Sequence, residues 1–177
     1  PESILLSNYD VGSSLYQFYT AAQPFCEADD PAIIGVVNNL KGEEKSVVKI
    51  AQAIYMYIIE NMQYELAAQA IGAKAALDAK KGDCSEYSSL MVAMLRAAGI
   101  PARKVLGLAF VEGRIDHAQP RLDIKEGDKW EYNNLDPNKA YPGHAWVQYY
   151  VPSYGWITAD PTWGQSLYAN EMDPLQY

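Results

Sequence analysis

The sequence predicts an α+β domain, and three observations carry the prediction. Residues 30–98 place apolar side chains at helical spacing, the texture turns strand-like after Pro101, and a turn-rich loop at 152–155 joins two late runs as a hairpin. Helices from the N-terminal half are therefore expected to pack on an antiparallel sheet. With 177 residues, 49% of them hydrophobic, the chain is long enough to bury a real core as one domain spanning 1–177.

The elements follow in chain order. Residues 1–29 carry Tyr9, Tyr16, Phe18, Tyr19 and Phe25 with weak periodicity, and read as an irregular or short-helical extension packing on the core. Asp30-Pro31 is a helix start, with the acid at the cap and proline in the first turn. Ile33, Ile34, Val37 and Leu40 continue that helix to Lys41-Gly42. A longer helix is expected over 43–62, where Val47, Ile50, Ala51, Ile54, Ile58 and Met62 form one apolar stripe. An alanine-rich helix over 73–80 leads to Lys81-Gly82-Asp83-Cys84-Ser85-Glu86-Tyr87. Here Asp83 can cap and Glu86 stands three residues later, the capping-box spacing. Leu90, Met91, Met94, Leu95 and Ala98 follow at helical steps, and Gly99-Ile100-Pro101 ends the run.

Residues 102–111 read as a buried strand. Residues 112–142, rich in charge, glycine and proline, read as a long surface excursion around one short strand near 130–132. Strands over 145–151 and 156–159 make the hairpin.

Charge and composition narrow the function. Fourteen basic residues against 22 acidic ones, a formal net charge of −8, argue against a nucleic-acid partner. The two cysteines, Cys26 and Cys84, and two histidines, His117 and His144, form no metal-ligand spacing, so no metal or cofactor is expected. The most apolar stretch, 50–59, is too short to span a bilayer and is interrupted by Gln52. The chain begins at Pro1 and shows no signal peptide, as expected of a trimmed or mature form; its compartment is left open, an extracytoplasmic or cell-envelope setting included. The oligomeric state is likewise open.

Cys84 sits in the first turn of its helix, among unpaired N–H groups at the positive end of the dipole. That setting favours the nucleophilic thiolate. His144 lies just before the first hairpin strand and Asp160 just after the second, so antiparallel pairing brings them together across 16 positions. An aspartate at the imidazole N–H fixes its tautomer and leaves the other nitrogen for a thiol. Taken singly, Cys84 reads equally well as a core residue, whereas His144 reads better as a sheet histidine and Asp160 better as a turn cap. Their joint placement favours catalysis. Arg96 and Arg103 read as structural ion-pair or hydrogen-bond partners, His117 as a solvated loop residue, and Cys26 as a free or buried thiol rather than a second nucleophile. Trp146 and Trp156 read as hairpin packing, and Trp163 as packing or a cleft wall.

Four segments carry a resemblance: Gly82-Asp83-Cys84-Ser85-Glu86-Tyr87, Leu95-Arg96-Ala97-Ala98-Gly99-Ile100-Pro101-Ala102-Arg103, Gly143-His144-Ala145-Trp146-Val147, and Gly155-Trp156-Ile157-Thr158-Ala159-Asp160-Pro161-Thr162. In this order they resemble the microbial branch of the transglutaminase-like superfamily, over roughly residues 30 to 165. The resemblance implies a papain-like core with the cysteine helix packed on an antiparallel sheet, and a triad of Cys84, His144 and Asp160. It also implies an upstream aromatic or polar side chain near the oxyanion, with Gln63 and Tyr64 as the matching places. No calcium site of the animal enzymes has a counterpart.

The expected activity is thiol-dependent acyl transfer on peptide or protein amides through an acyl-thioester at Cys84, with hydrolysis ahead of amine transfer. The alternatives are a cross-linking transglutaminase or deamidase, and a non-catalytic binding module of a larger cell-envelope protein. A Cys26–Cys84 disulfide masking the nucleophile is a third possibility that the spacing does not favour.

Overall fold

Short polar side chains set where several of the helices begin. The structure, a computed structural model, describes residues 1–66, 69–108 and 143–165. Helix α1 (Ser14–Thr20) starts where the Ser13 hydroxyl accepts the Tyr16 N–H at 3.2 Å. Helix α2 (Pro31–Lys41) starts where the Asp30 carboxylate accepts the Ala32 N–H at 2.8 Å, and Gly42 closes it with φ +49°.

Helix α3 (Val47–Asn61) begins four residues later than expected. Glu44 is the reason: its carboxylate accepts the N–H groups of Lys45 and Ser46 at 2.8 and 2.7 Å. These bonds hold a turn there, and Ser46 becomes the cap. The expected stripe Val47, Ile50, Ala51, Ile54, Ile58 and Met62 is buried throughout.

The next feature has no counterpart in the sequence pattern. Strand β1 (Gln63–Tyr64) pairs in parallel with β2 (Lys81–Gly82), two residues each, and α4 (Ala73–Ala79) lies between them in the chain. Helix α4 has Gly72 at its cap position, and the carboxylate of distant Glu27 supplies what a capping side chain would, accepting the Ala73 and Lys74 N–H groups at 2.9 and 3.1 Å.

Helix α5 (Cys84–Ala97) is the centre of the core. Every residue from Glu86 to Arg96 is buried, and α2, α3 and α4 pack around it. Burying Leu90, Met91, Met94 or Leu95 contributes about 1.5–3 kcal/mol each. Beyond it, β3 (Ala102–Leu108), β4 (Gly143–Val151) and β5 (Gly155–Ala159) form a sheet in the order β3-β4-β5. Strands β4 and β5 are antiparallel, from Val147 opposite Ala159 to Val151 opposite Gly155. Helices packed with a sheet whose β4–β5 pair is antiparallel make the predicted α+β fold.

The residues before α2 are tied down at several points. Leu6 donates its N–H to the Lys45 carbonyl, Val47 donates to the Ile4 carbonyl, and the Tyr9 hydroxyl donates to the Tyr150 carbonyl. Buried Arg96 donates to the carbonyls of Ala102 and Ala21 at 3.0 and 2.7 Å and to Gln23 Oε1 at 3.1 Å. Arg103 holds Gln148 Oε1 with two donors and stacks on Trp156, its guanidinium carbon 4.2 Å from the ring centroid. Among the described residues hydrogen bonds hold both arginines, the partnership the sequence suggested.

Two compact units divide the chain: Pro1–Val105 with Ala145–Tyr177, and Leu106–His144. The described part of the second is the end of β3 and the first two residues of β4. The expected excursion over 112–142, with its strand near 130–132 and His117, lies outside the described residues.

Candidate active site

Cys84 is the first residue of α5, and a complete capping box puts it there. The Asp83 carboxylate accepts the Ser85 N–H at 2.8 Å, while Glu86 Oε2 accepts the Asp83 N–H at 3.3 Å. Gly82 is required just before: a Cβ at that position would lie 2.4 Å from the Glu86 Cβ. Glu86 is 1% exposed, and its other oxygen accepts the Ile71 N–H at 3.2 Å. Burial pushes its carboxyl above the usual range, and a side-chain hydrogen bond with Asp83 pushes the same way.

The Cys84 thiol is half-buried and free, as is that of Cys26. Two N–H groups reach its sulfur, one from Ala145 on β4 and the other its own. Both favour the thiolate, as expected of a helix start. They do not prevail. Burial pushes the thiol above its ordinary 9.0, and the negative charges of Asp83 and Asp160 push it further. The N–H groups expected from the helix start act in the thiolate's favour, while desolvation and two carboxylates act against it.

Asp160 directly follows β5, and its charge reaches the Cys84 sulfur. Its Oδ1 also accepts the N–H groups of Thr162 and Trp163, at 3.1 and 3.0 Å, and so caps a helical turn over 161–165. The turn-cap role and the place near the thiol coexist on one residue. Trp163 in that turn is 45% exposed. The turn is anchored from two helices. Tyr55 on α3 donates its hydroxyl to the Asp160 carbonyl at 3.2 Å. From α5, Tyr87 donates to Gln165 Oε1 at 2.6 Å, and the Gln165 amide donates to the Ile59 and Met62 carbonyls.

His144, the second residue of β4, is buried. It precedes Ala145 in the chain and stands three residues before Val147, the partner of Ala159 in the hairpin register. Tyr64 is 48% exposed, its ring centroid lies 6.4 Å from that of Tyr87, and the ionised Cys84 and Asp83 push its hydroxyl above the usual range after burial does. Of the two upstream candidates, Tyr64 is therefore within electrostatic reach of the thiol. Gln63 is exposed and serves β1 through its backbone, donating its N–H to the Lys80 carbonyl at 2.9 Å. Among the described residues, no group of three or more His, Cys, Asp or Glu side chains could hold a metal ion, and no helix is long and apolar enough to cross a membrane.

Sequence reasoning missed Tyr55, Gln165 and the Ala145 N–H. The last is a backbone group, which no residue identity advertises. Gly164 is the one residue that offered a signal: a Cβ there would lie 1.7 Å from the Tyr55 hydroxyl oxygen, so the glycine marks a close approach.

The chain is similar to several known proteins. The family model of the transglutaminase-like superfamily matches residues 34–161. A protein-glutamine gamma-glutamyltransferase of Pseudomonas aeruginosa is 32% identical over 118 residues, 64% of this chain and 15% of that protein. YebA of Bacillus subtilis is 41% identical over 87 residues, 49% of this chain and 10% of that protein. The solved structure of a candidate cysteine protease from Cytophaga hutchinsonii superposes with a TM-score of 0.63 at 21% identity, covering 91% of this chain and 45% of that one. The chain thus spans a small part of the length of the relatives it matches, and shares the fold of that structure.

Proposed function

The chain belongs to the transglutaminase-like superfamily, and from that premise we propose that it is a cysteine enzyme transferring acyl groups from peptide or protein amides. Cys84 is the nucleophile, His144 the general base and acid, and Asp160 the residue that orients the imidazole. The observation that carries this reading is the hydrogen bond from the Ala145 N–H to the Cys84 sulfur. His144 is joined to Ala145 by a peptide bond, and the charge of Asp160 reaches the same sulfur.

The electrostatics support a paired rather than a lone thiolate. Burial and two carboxylates raise the thiol, so ionisation needs a cation beside it, and an imidazolium supplies one. His144 takes the thiol proton, and the thiolate sulfur bonds to the amide carbonyl carbon. As the C–N bond breaks, His144 returns the proton to the departing amine, leaving an acyl-thioester. In hydrolysis His144 then takes a proton from water, whose oxygen attacks the thioester carbon. The carboxylic acid leaves and the proton returns to sulfur. The Tyr64 hydroxyl is the upstream group proposed to face the oxyanion, and exposed Trp163 to wall the cleft.

Water is the proposed acceptor. Amine transfer is the second reading, favoured by the likeness to the Pseudomonas gamma-glutamyltransferase. The test is to trap the intermediate with an activated glutamine peptide ester, read by mass spectrometry, and to follow its breakdown with and without a primary amine. The expected result is an acyl adduct on Cys84, absent in Cys84→Ala, that breaks down at a rate insensitive to amine. Breakdown that rises with amine and yields the amide moves the assignment to transfer. No adduct at all overturns the enzyme reading in favour of the binding module.

A further inference from the structure

A cavity of about 230 Å³ opens among the N-terminal segment, α5 and β3, apart from any role assigned above. Phe18, Tyr19 and Phe25 give it an aromatic wall, and Arg96, Arg103 and Lys104 bring three positive charges to it. That is an unusual concentration in a chain with 14 basic residues against 22 acidic ones.

These cations are hydrogen-bonded to neutral groups alone among the described residues. Arg96 donates to two carbonyls and an amide oxygen, and Arg103 to the amide oxygen of Gln148. Lys104 Nζ donates to the hydroxyls of Ser85 and Ser89 at 3.1 and 3.0 Å. No described carboxylate forms an ion pair with any of the three. Arg96 and Arg103 bond through Nε and one terminal nitrogen each, and Lys104 through two of its three N–H groups, so each cation retains donor capacity. Cys26 lines the same cavity, and the charges of Arg96 and Lys104 both act on its sulfur, which burial otherwise pushes up. Glu27 acts on that sulfur too, but its carboxylate is bonded to the start of α4.

We propose that this cavity is a binding site for a carboxylate on a short apolar stem, with Arg103 and Lys104 holding the anion and the aromatic wall holding the stem. Convergent cations in a walled cleft focus their field on one point. The volume lies below that of sites for drug-sized ligands, roughly 300–1,000 Å³, and suits a single amino-acid side chain. Lys104 also joins the cavity to the residue after Cys84. Ser89 lies five residues along α5 from Cys84, about 7.5 Å at 1.5 Å per residue. That distance is roughly two residues of extended peptide, so an acidic peptide is the proposed carrier of the carboxylate. Only this last choice rests on the function proposed above; the anion site stands without any reaction at Cys84.

The test uses the full chain carrying Cys84→Ala, so that failure of the triad cannot imitate failure of the site. Cys26 is alkylated with iodoacetate, itself a carboxylate, and with neutral iodoacetamide, and read by mass spectrometry. The expected iodoacetate-to-iodoacetamide rate ratio at Cys26 exceeds that of the denatured chain by about tenfold, the low end of field-focusing effects. Lys104→Gln and Arg103→Gln each lower the ratio, and Lys104→Arg restores it. In parallel, thermal melting is followed with an N-acetylated glutamyl peptide amide, its glutaminyl counterpart and inorganic phosphate. The glutamyl peptide is expected to raise the midpoint, and Lys104→Gln to abolish the shift. A shift with phosphate alone assigns the cavity to a free anion and overturns the peptide subsite. A ratio equal to that of the denatured chain, with no shift from any probe, overturns the site itself.

Discussion

Tyr55 and Gly164 interlock: the Tyr55 hydroxyl occupies the space that any side chain at residue 164 would need, 1.7 Å from an added Cβ. The same hydroxyl donates to the Asp160 carbonyl, so α3 fixes the turn that begins at the proposed orienting aspartate. Gly164→Ala is expected to destabilise by about 1–3 kcal/mol, the usual cost of overpacking. Urea unfolding measures it. In a double-mutant cycle with Tyr55→Leu the penalty should shrink, and strict additivity would show that the two residues do not share this space.

For Cys84 the sign of the shift makes a pH prediction. Without an imidazolium, burial, Asp83 and Asp160 hold the thiol above 9.0. In His144→Ala the rate of iodoacetamide alkylation at Cys84 should therefore rise only as the pH passes that ordinary value. The parent chain should instead react at a plateau extending below pH 7, where a paired thiolate is already formed. Superimposable profiles for the two chains would remove His144 from the mechanism.

Glu86 predicts a slope in stability. Its folded carboxyl titrates above the ordinary 4.5: burial is the first cause, and the hydrogen bond with Asp83 adds to it against the opposing Ile71 N–H. The folded state therefore keeps a proton that the unfolded state has released. Stability from this group is fully present below 4.5 and is lost as the pH rises through the raised value. Relative to Glu86→Gln, the parent chain should lose stability between pH 4 and pH 7 in urea unfolding. A difference constant across that range would contradict the shift.

Asp83 caps the helix that carries the nucleophile. Asp83→Ala should cost about 1 kcal/mol, as loss of an N-cap does. It also removes a negative charge that pushes the Cys84 thiol up. Alkylation of Cys84 should accordingly shift to lower pH while the melting midpoint falls. Asp83→Asn, which keeps a capping oxygen, should shift the alkylation profile and largely spare the midpoint.

Much of this was legible in the sequence because local chemistry dictated it. Asp30-Pro31 and the box from Asp83 to Glu86 start helices through bonds a few residues long, and the loop at 152–155 fixes the hairpin register without distant help. What escaped was set by partners far away in the chain. Glu27 starts α4 from 46 residues off, Tyr55 meets Asp160 across 105, and Gln165 meets Tyr87 across 78. The direction of the Cys84 shift escaped for a related reason. A helix start is visible in sequence, but burial and the approach of Asp160 belong to the folded sulfur alone.

Arg96 gives the boundary of the domain a physical meaning. Family resemblance opens at residue 34, yet this guanidinium, buried at the far end of the cysteine helix, donates to Ala21 and Gln23. A recombinant fragment trimmed to the homologous stretch would keep the charge and the Ala102 carbonyl but discard the Ala21 and Gln23 acceptors, leaving donors to be rehydrated inside a packed helix cluster. The leading residues are thus a built-in plug, and a minimal unit for expression should retain them.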